Sequence, residues 1–397
     1  MLVLSCTTDT ARSARLPFEI ADVVRVHGKA FAESHVVTPE QAAVLRAITS
    51  CRTAALGGHL DVCLDCGHER PSYNSCRNRH CPKCQALAQA KWIAEREARI
   101  LPTLHFHVVF TIPSELRPLA RFRREEVFDL LFKAAARTLL DLGRERLSAE
   151  LGATMVLHTW TRDLRFHPHV HAIVTGGGLS LDGTRWIRTR QDYFMPVKQL
   201  GAVFRENFVQ GLCALWRKGA FDGFEVPGGL ARLFGDVAKK SWIVYAKRPF
   251  GEARNVLRYL GRYTHRVGIS NQRMVSMSDD GLVTFRTKDG KTVSLPGEDF
   301  LARFVDHVLP RQYVKIRHIG IMAASHVSTK LARARELLTG PALARAPAPT
   351  QTVMTWVEAL LALAGLDVLR CPVCGGSVVQ KPLPAGTRPP PIPHDTS

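Results

Sequence analysis

Alternating histidines make one short segment of this chain suited to metal chemistry. The segment reads Arg165-Phe166-His167-Pro168-His169-Val170-His171. In a β-strand, side chains two residues apart point to the same face of the sheet. His169 and His171 can therefore hold one metal ion together, while Val170 packs into the core behind them. The competing interpretation is structural, because an isolated His-x-His pattern on a strand is more often structural than metal-binding.

Two imidazoles need a third ligand, and the sequence leaves more than one candidate. Asp163 offers a carboxylate six residues before His169, and His107 lies on a possible neighbouring strand. Imidazole and oxygen ligands with open positions suit Mn²⁺ or Mg²⁺ acting on a phosphate. His167 shares the strand face of His169 and His171, either as part of the site or as the residue that opens the strand.

A pair of tyrosines could supply nucleophiles to such a site. Tyr259 and Tyr263 lie four residues apart in a segment whose pattern predicts a helix, so their phenol groups can reach one point. A phenol with a pKa near 10 is a poor nucleophile at neutral pH. It needs a metal-polarised phosphate, nearby cations or a base. Together with a metal ion, the pair predicts cutting and rejoining of a nucleic acid strand, whereas two tyrosines packed in a core would have no such role.

Two Cys-x-x-Cys pairs predict a structural zinc site. Cys63 and Cys66 form the first pair and Cys81 and Cys84 the second, with fourteen residues between them. This is close to the spacing of known structural zinc sites, in which four thiolates form a tetrahedron around one ion.

Further cysteines and histidines extend this metal-binding pattern. A second zinc ion could take its ligands from the same stretch: Cys51, His59, Cys76 and His80. A last pair, Cys371 and Cys374, either joins another site or has no role, because a single Cys-x-x-Cys pair recurs by chance.

The charge of the chain indicates a polyanionic partner. Lys and Arg total 54 against 35 Asp and Glu, which gives a net charge of +19 and a pI near 9.9. An excess of this size favours nucleic acid as the partner. The candidate phosphate contacts are Lys247, Arg248, Arg262, Arg266, Lys315 and Arg317.

The apolar segments predict neither secretion nor a membrane span. Residues 1–6 have no basic segment before their few apolar residues, which excludes a signal peptide. The segment from Met354 to Leu369 contains Glu358 and Asp367 and is too short to cross a bilayer. We therefore expect a cytoplasmic protein with reduced thiols.

Local patterns divide the chain into three parts. Thr38-Pro39-Glu40-Gln41 is typical of a helix start, and residues 57–84 have the composition of a metal-organised loop region. Strands are predicted at 105–112, 154–160 and 169–175, and a hairpin with two turns at 275–294. We expect an N-terminal helical and zinc-binding domain at 1–98 and a catalytic domain at 99–335. Residues 336–397 should hold a linker, a helix, the last cysteine pair and a disordered Pro-rich tail.

Taken together, these residues resemble the two-tyrosine, rolling-circle insertion-sequence transposases of the IS91 type. The resemblance covers about residues 40–325. It rests on ordered blocks at Cys51 to His59, Tyr73 to Pro82, Val108 to Pro113, Leu157 to Trp160, His167 to His171, Lys247 to Gly251, Tyr259 to Arg266 and Ile316 to Gly320.

The resemblance implies a fold and a mechanism. The fold class is α+β, a histidine–hydrophobic–histidine (HUH) nuclease domain with a central antiparallel sheet flanked by helices, preceded by a helical and zinc-ribbon domain. His169 and His171 are implied as metal ligands and Tyr259 and Tyr263 as nucleophiles that form a 5′-phosphotyrosine. The implied substrates are single-stranded or hairpin DNA ends of the element and a target DNA, in the bacterial cytoplasm and in association with the nucleoid.

Three other functions compete with this interpretation. A replication initiator or relaxase would use the same chemistry. The N-terminal zinc-binding region and the lack of a Walker-type phosphate loop argue against this function. A non-enzymatic zinc-ribbon DNA-binding protein would bind tightly but form no covalent product. A metal-dependent hydrolase of a small substrate fits poorly with the positive charge. The oligomeric state stays open.

Overall fold

The computed structural model describes residues 18–85, 99–190, 194–250, 268–340 and 367–386, together with residues 88, 89, 92, 93, 96, 355, 357, 358 and 361. Among them, the α-helices are α1 (Ile20–Ser34), α2 (Pro39–Ser50), α3 (Arg117–Phe122), α4 (Arg124–Leu147), α5 (Val197–Arg217), α6 (Gly229–Lys239), α7 (Gly297–Val305) and α8 (Ala332–Thr339). The strands are β1 (Gly58–Cys63), β2 (Glu69–Tyr73), β3 (His105–Thr111), β4 (Ala149–Trp160), β5 (Phe166–Ser180), β6 (Trp186–Arg188), β7 (Val244–Phe250), β8 (Met274–Met277), β9 (Leu282–Arg286), β10 (Thr292–Pro296), β11 (Ile316–Gly320) and β12 (Val378–Leu383).

A six-stranded antiparallel sheet forms the centre of the fold. Its strand order is β11-β4-β5-β3-β7, and β6 pairs with β5. Every described pair in this sheet is antiparallel. The long strand β5 carries the alternating histidines and lies between β4 and β3, so two neighbouring strands flank the predicted metal site. This arrangement confirms the predicted α+β class with a central antiparallel sheet.

Helices cover one face of this sheet and form the main core with it. Phe110 from β3 and Val170 from β5 pack with Phe128 of α4 and Phe204 of α5, and all four side chains are fully buried. Val170 therefore packs behind the histidines, as the alternation of the strand predicts. The histidines on either side of it point to the opposite face.

The N-terminal helices pack against a second, three-stranded sheet in the order β10-β9-β8. The side chain of Thr38 accepts the N–H of Gln41 at 3.3 Å, and the side chain of Gln41 accepts the N–H of Thr38 at 2.9 Å. This reciprocal pair is the capping box expected at the start of α2. Apolar side chains of α1, α2, α7 and this sheet form a second core.

A third sheet joins distant parts of the chain, with the order β12-β1-β2. All six residues of β12 pair with β1, from Gly58 opposite Leu383 to Cys63 opposite Val378. Residues 378–383 thus belong to the same sheet as residues 58–73, although we expected the last cysteine pair to lie in a separate C-terminal part. No helix among the described residues has the length and apolar character needed to cross a bilayer.

Candidate active site and cysteine clusters

Three histidines meet on the sheet face that the main core leaves free. His158 on β4 lies directly opposite His169 on β5, and residues paired in this way point to the same face. Ligand atoms of His158, His169 and His171 all lie within 4.8 Å of one another. His158 is 3% exposed, and the other two are half-buried. The cluster therefore offers three imidazole nitrogens to one ion.

Burial keeps the imidazoles of His169 and His171 neutral, which is the form that binds a metal. Burial lowers the pKa of His169 to about 4. Burial, followed by the neighbouring histidines, lowers the pKa of His171 well below its ordinary value. Nδ1 of His169 donates to the backbone carbonyl of His167 at 2.7 Å. This contact leaves Nε2 of His169 as its ligand atom.

His107, on the neighbouring strand β3, contacts the cluster from the side. Its Nε2 lies 2.8 Å from Nδ1 of His171, and the two rings stack with centroids 5.0 Å apart and planes 7° from parallel. Burial lowers the pKa of His107 to about 4. A hydrogen bond to Nδ1 directs Nε2 of His171 toward the cluster. His107, one of the two candidates for the third ligand, lies outside the described cluster and contacts it through His171.

Asp163, the other candidate, lies in the turn between β4 and β5 and is not part of the described cluster. One of its carboxylate oxygens accepts a hydrogen bond from Thr161 at 2.5 Å, and the other pairs with Nε of Arg165 at 2.7 Å. The carboxylate is therefore used within the turn, and His158 is the third residue of the described cluster. The turn alone held no signal for this, because the pairing of Trp160 with Phe166 would place residue 158 opposite residue 168. A register shift between residues 158 and 160 brings His158 opposite His169.

Cations lie around the histidine cluster. Lys247 on β7 pairs in register with His107 on β3, and its positive charge contributes, after burial, to the low pKa of His107. Lys288, in the turn between β9 and β10, has the same effect on His171 after burial and the other histidines. Nη2 of Arg117 donates to Nδ1 of His167 at 2.8 Å. Sequence reasoning missed Lys288 and Arg117, because only the folded chain brings them to β5.

The other predicted phosphate contacts have different surroundings. Arg317 pairs with Asp129 and lies over the ring of Phe132, 4.3 Å from its centroid, so it braces β11 against α4, and its placement does not support the predicted DNA contact. Burial lowers the pKa of Lys315 to about 8. The predicted residues Tyr259, Tyr263, Arg262 and Arg266, and the side chain of Arg248, lie outside the described residues.

The cysteines group differently from the arrangement predicted by their spacing. Cys51, Cys76, Cys81 and Cys84 form one quartet. Cys51 follows the last turn of α2, and its sulfur accepts the N–H of Cys76 at 3.5 Å. The sulfurs of Cys76 and Cys84 lie 3.8 Å apart. This quartet packs against the core formed by α1 and α2.

The pair Cys63 and Cys66 joins Cys371 and Cys374 in a second quartet. The expected set of Cys63, Cys66, Cys81 and Cys84 is therefore wrong, because the turn between β1 and β2 faces the segment before β12. Neither predicted histidine belongs to a described metal cluster. His59 contacts Asp61 at 3.4 Å, and Nε2 of His80 accepts the N–H of Leu309 at 3.4 Å.

Comparisons with known proteins agree with the resemblance seen in the sequence. Residues 23–112 match the family model described as "Transposase zinc-binding domain", and residues 152–330 match "Putative transposase". The chain is 40% identical to "Putative transposase y4qJ" of Sinorhizobium fredii (strain NBRC 101917 / NGR234), over 97% of its own length and the full length of that relative. It is 28% identical to "Transposase for insertion sequence element IS801" of Pseudomonas savastanoi pv. phaseolicola, over 83% of this chain and 80% of the relative.

Among solved structures, the conjugative relaxase TrwC in complex with oriT DNA matches in its metal-free and metal-bound forms. Both matches have 16% identity and a TM-score of 0.24, and they cover 40% and 41% of this chain and 71% of the relaxase chain. The full-length match at 40% identity decides the family. The chain belongs to the IS91-type insertion-sequence transposases with an N-terminal zinc-binding domain.

Proposed function

We propose that this transposase cuts and rejoins single DNA strands with tyrosine nucleophiles at the histidine cluster. The observation that carries the proposal is the meeting of His158, His169 and His171 on the sheet face opposite the main core, in a chain from a transposase family. An ion bound there would polarise a non-bridging oxygen of the scissile phosphate and orient that phosphate. The lowered pKa values of His169 and His171 keep these two imidazoles neutral, so they can bind the ion without first losing a proton.

Tyr259 and Tyr263 are the nucleophiles in this proposal. One phenol oxygen forms a bond to phosphorus, its proton passes to a base or to water, and the bond from phosphorus to the 3′ oxygen breaks. The 3′ oxygen leaves as a hydroxyl after it takes up a proton, and the 5′ phosphate stays on the tyrosine. Attack by a 3′-hydroxyl reverses these changes, so rejoining needs no ATP. A second tyrosine can act while the first still carries DNA.

The ligand set favours Mn²⁺ over Mg²⁺ as the ion. The sequence suggested imidazoles with an oxygen ligand, a set that both ions accept, but the cluster consists of three imidazoles. Mg²⁺ prefers oxygen ligands and gives up its water reluctantly. Mn²⁺ has the lowest affinity for nitrogen ligands among the first-row transition metals, but it gives up its water more readily than Mg²⁺ and so accepts imidazole more easily.

The cations near the cluster suit a polymer of phosphates. Lys247 and Lys288 contribute positive charge on the histidine face, within a chain of net charge +19. We infer that Lys247 contacts a DNA phosphate next to the scissile phosphate. The quartet of Cys51, Cys76, Cys81 and Cys84 would hold a structural zinc ion, which fixes the N-terminal domain that presents the DNA end.

The direct test is trapping of covalent protein–DNA adducts. Purified protein is incubated with labelled single-stranded element ends and Mn²⁺, and products are separated on a denaturing gel. Single replacements of Tyr259 and Tyr263 by Phe should each lower adduct formation, and the double variant should form none. Tyr245→Phe is the matched control, because Tyr245 is an exposed tyrosine on β7 that we do not propose as a nucleophile.

Full adduct formation by the double variant would disprove the tyrosine roles, and loss in Tyr245→Phe alone would transfer the role to that residue. His158→Ala should abolish nicking in Mn²⁺. Tight DNA binding with no adduct in the wild type would instead indicate a non-enzymatic DNA-binding protein. Nicking without joining of a second DNA strand would indicate a replication initiator or relaxase.

A further inference from the structure

Two loops in distant parts of the chain have the same backbone conformation. In each, the first cysteine donates its N–H to the carbonyl five residues later, at 2.9 Å for Cys63 and 2.8 Å for Cys371. A glycine four residues after that cysteine donates back to its carbonyl, at 3.2 Å for Gly67 and 2.9 Å for Gly375. Both glycines have positive φ, 68° and 76°, which favours glycine over any other residue. The two loops are thus equivalent in structure.

The sulfurs of these loops face one another at metal-binding distances. Sγ of Cys63 lies 3.4 Å from Sγ of Cys374, and Sγ of Cys66 lies 3.7 Å from Sγ of Cys371. Four thiolates about 2.3 Å from one zinc ion in a tetrahedron would lie about 3.8 Å apart. The loops therefore already hold the four sulfurs close to the geometry of a zinc site.

The sheet between these loops lacks an apolar core that could hold it together. Among the described residues, none of the four apolar clusters includes a side chain from β1, β2 or β12. A three-stranded sheet of this size needs another source of stability. A bound structural metal is one such source, because its binding free energy is also folding free energy.

Polar side-chain contacts fix the register of β12 against β1, and these contacts do not involve the cysteine sulfurs. Asp61 in the middle of β1 is 4% exposed and accepts hydrogen bonds from both neighbouring strands. Nε2 of Gln380 donates to it at 3.1 Å, and Nη2 of Arg70 donates to it at 2.9 Å. The register of the sheet thus has its own support, and it brings the second loop onto the first.

We propose that Cys63, Cys66, Cys371 and Cys374 bind a second structural zinc ion. This ion is separate from the one proposed for the quartet that contains Cys51. The matched zinc-binding region, residues 23–112, supplies only half of the ligands. The segment around Cys371 therefore completes the zinc-binding domain after the chain has passed through the central sheet.

This zinc ion links residues far apart along the chain. It connects Cys66 to Cys371, and the strands of the central, histidine-bearing sheet lie between these two ligands along the chain. The ribbon formed by β12, β1 and β2 can fold only after residues 371–383 have been synthesised. Without them, the first cysteine pair has no partners among the described residues.

The test counts zinc ions in the purified full-length chain by mass spectrometry. All proteins carry His169→Ala and His171→Ala, so that the histidine cluster does not contribute to the count. This background should hold two zinc ions per chain. Adding Cys371→Ser and Cys374→Ser should leave one ion, and adding Cys63→Ser and Cys66→Ser should also leave one. All four changes together should still leave one, because both pairs bind the same ion.

Two further measurements separate ligand loss from general unfolding. Cobalt substituted for zinc should give a thiolate absorption band that falls by half, not to zero, in the Cys371→Ser/Cys374→Ser protein. Cys213→Ser is the matched control and should keep both ions, because Cys213 is free, half-buried and outside both quartets. An unchanged zinc count after removal of Cys371 and Cys374, or loss of both ions in the four-cysteine variant, would overturn the proposal.

Discussion

The hydrogen bond between His107 and His171 gives a quantitative prediction for metal binding. His107→Phe keeps an aromatic ring stacked on His171 but removes the nitrogen that lies 2.8 Å from Nδ1. Partners that orient a metal-binding histidine typically contribute 10- to 100-fold in metal affinity, or about 1.4 to 2.8 kcal/mol. A hydrogen bond between uncharged groups contributes about 0.5 to 1.5 kcal/mol. Because both imidazoles are neutral, we expect the metal affinity to fall about tenfold, at the lower end of the 10- to 100-fold range.

His105→Phe is the matched control for this change. His105 lies on the same strand and is as buried as His107, with 1% against 3% of its surface exposed. Its Nδ1 bonds to the backbone carbonyl of Thr103 at 2.9 Å. The control therefore reports any loss of core packing caused by a phenylalanine in β3. It should leave Mn²⁺ affinity unchanged.

The assay is a Mn²⁺ titration of strand nicking, with calorimetric Mn²⁺ binding to the same proteins. In His107→Phe, the midpoint should rise about tenfold, while the rate at saturating Mn²⁺ should stay close to that of the wild type. Equal midpoints for His107→Phe and the wild type would refute the positioning role. A lowered rate at saturating Mn²⁺ with an unchanged midpoint would instead show that His107 acts on the reaction itself.

Three further predictions concern the ion, the DNA contacts and the response to acid. Nicking should reach its half-maximal rate at lower Mn²⁺ than Mg²⁺, since Mg²⁺ prefers oxygen ligands and gives up its water reluctantly. Equal midpoints in parallel titrations would contradict the three-histidine site. Lys247→Ala should reduce the slope of log binding constant against log salt by about 0.7 on single-stranded DNA. Arg317→Ala should leave that slope unchanged. It should lower the free energy of unfolding in urea by about 1 kcal/mol, because it removes the ion pair with Asp129 and the contact with Phe132. A changed slope in Arg317→Ala, with an unchanged slope in Lys247→Ala, would refute this distinction. Burial lowers the pKa of His307 from 6.5 to about 4, so above pH 6.5 the residue is neutral in both states. Between pH 6.5 and 4 only the unfolded chain gains the proton. The free energy of unfolding therefore decreases as the pH is lowered, and this residue accounts for up to about 3 kcal/mol of the decrease. Urea unfolding of His307→Gln should show a shallower decline over that range, and an identical decline would show that His307 does not contribute.

The sequence predicted those features that depend on neighbouring residues. The start of α2 follows from Thr38 and Gln41, whose side chains bond to each other's backbone. The placement of His169 and His171 on one face follows from the alternation of a strand, with Val170 in the core. In both cases the physical cause acts over a few residues, so it can be recognised without the fold.

The ligand sets could not be predicted in the same way, because they depend on which strands become neighbours. Cys81 and Cys84 are nearest to Cys63 and Cys66 along the sequence, but the antiparallel pairing of β12 with β1 brings Cys371 and Cys374 to them instead. The third histidine also depends on the fold. His158 lies on the strand before the turn, and a register shift of one residue next to the turn, which the sequence does not reveal, places it opposite His169.

The replacement of a carboxylate by His158 changes the charge of the proposed site. With Asp163 as a ligand, a divalent ion would keep one net positive charge, whereas three neutral imidazoles leave it with two. Lys247 and Lys288 add positive charge to the same face. Attack on a phosphate diester adds negative charge to the oxygens on phosphorus, and a fixed positive field stabilises that charge most strongly in a site with little water. The same field attracts the phosphates on either side of the one that reacts. Through its net charge, the proposed ligand set thus favours a polymer of phosphates over a small uncharged substrate.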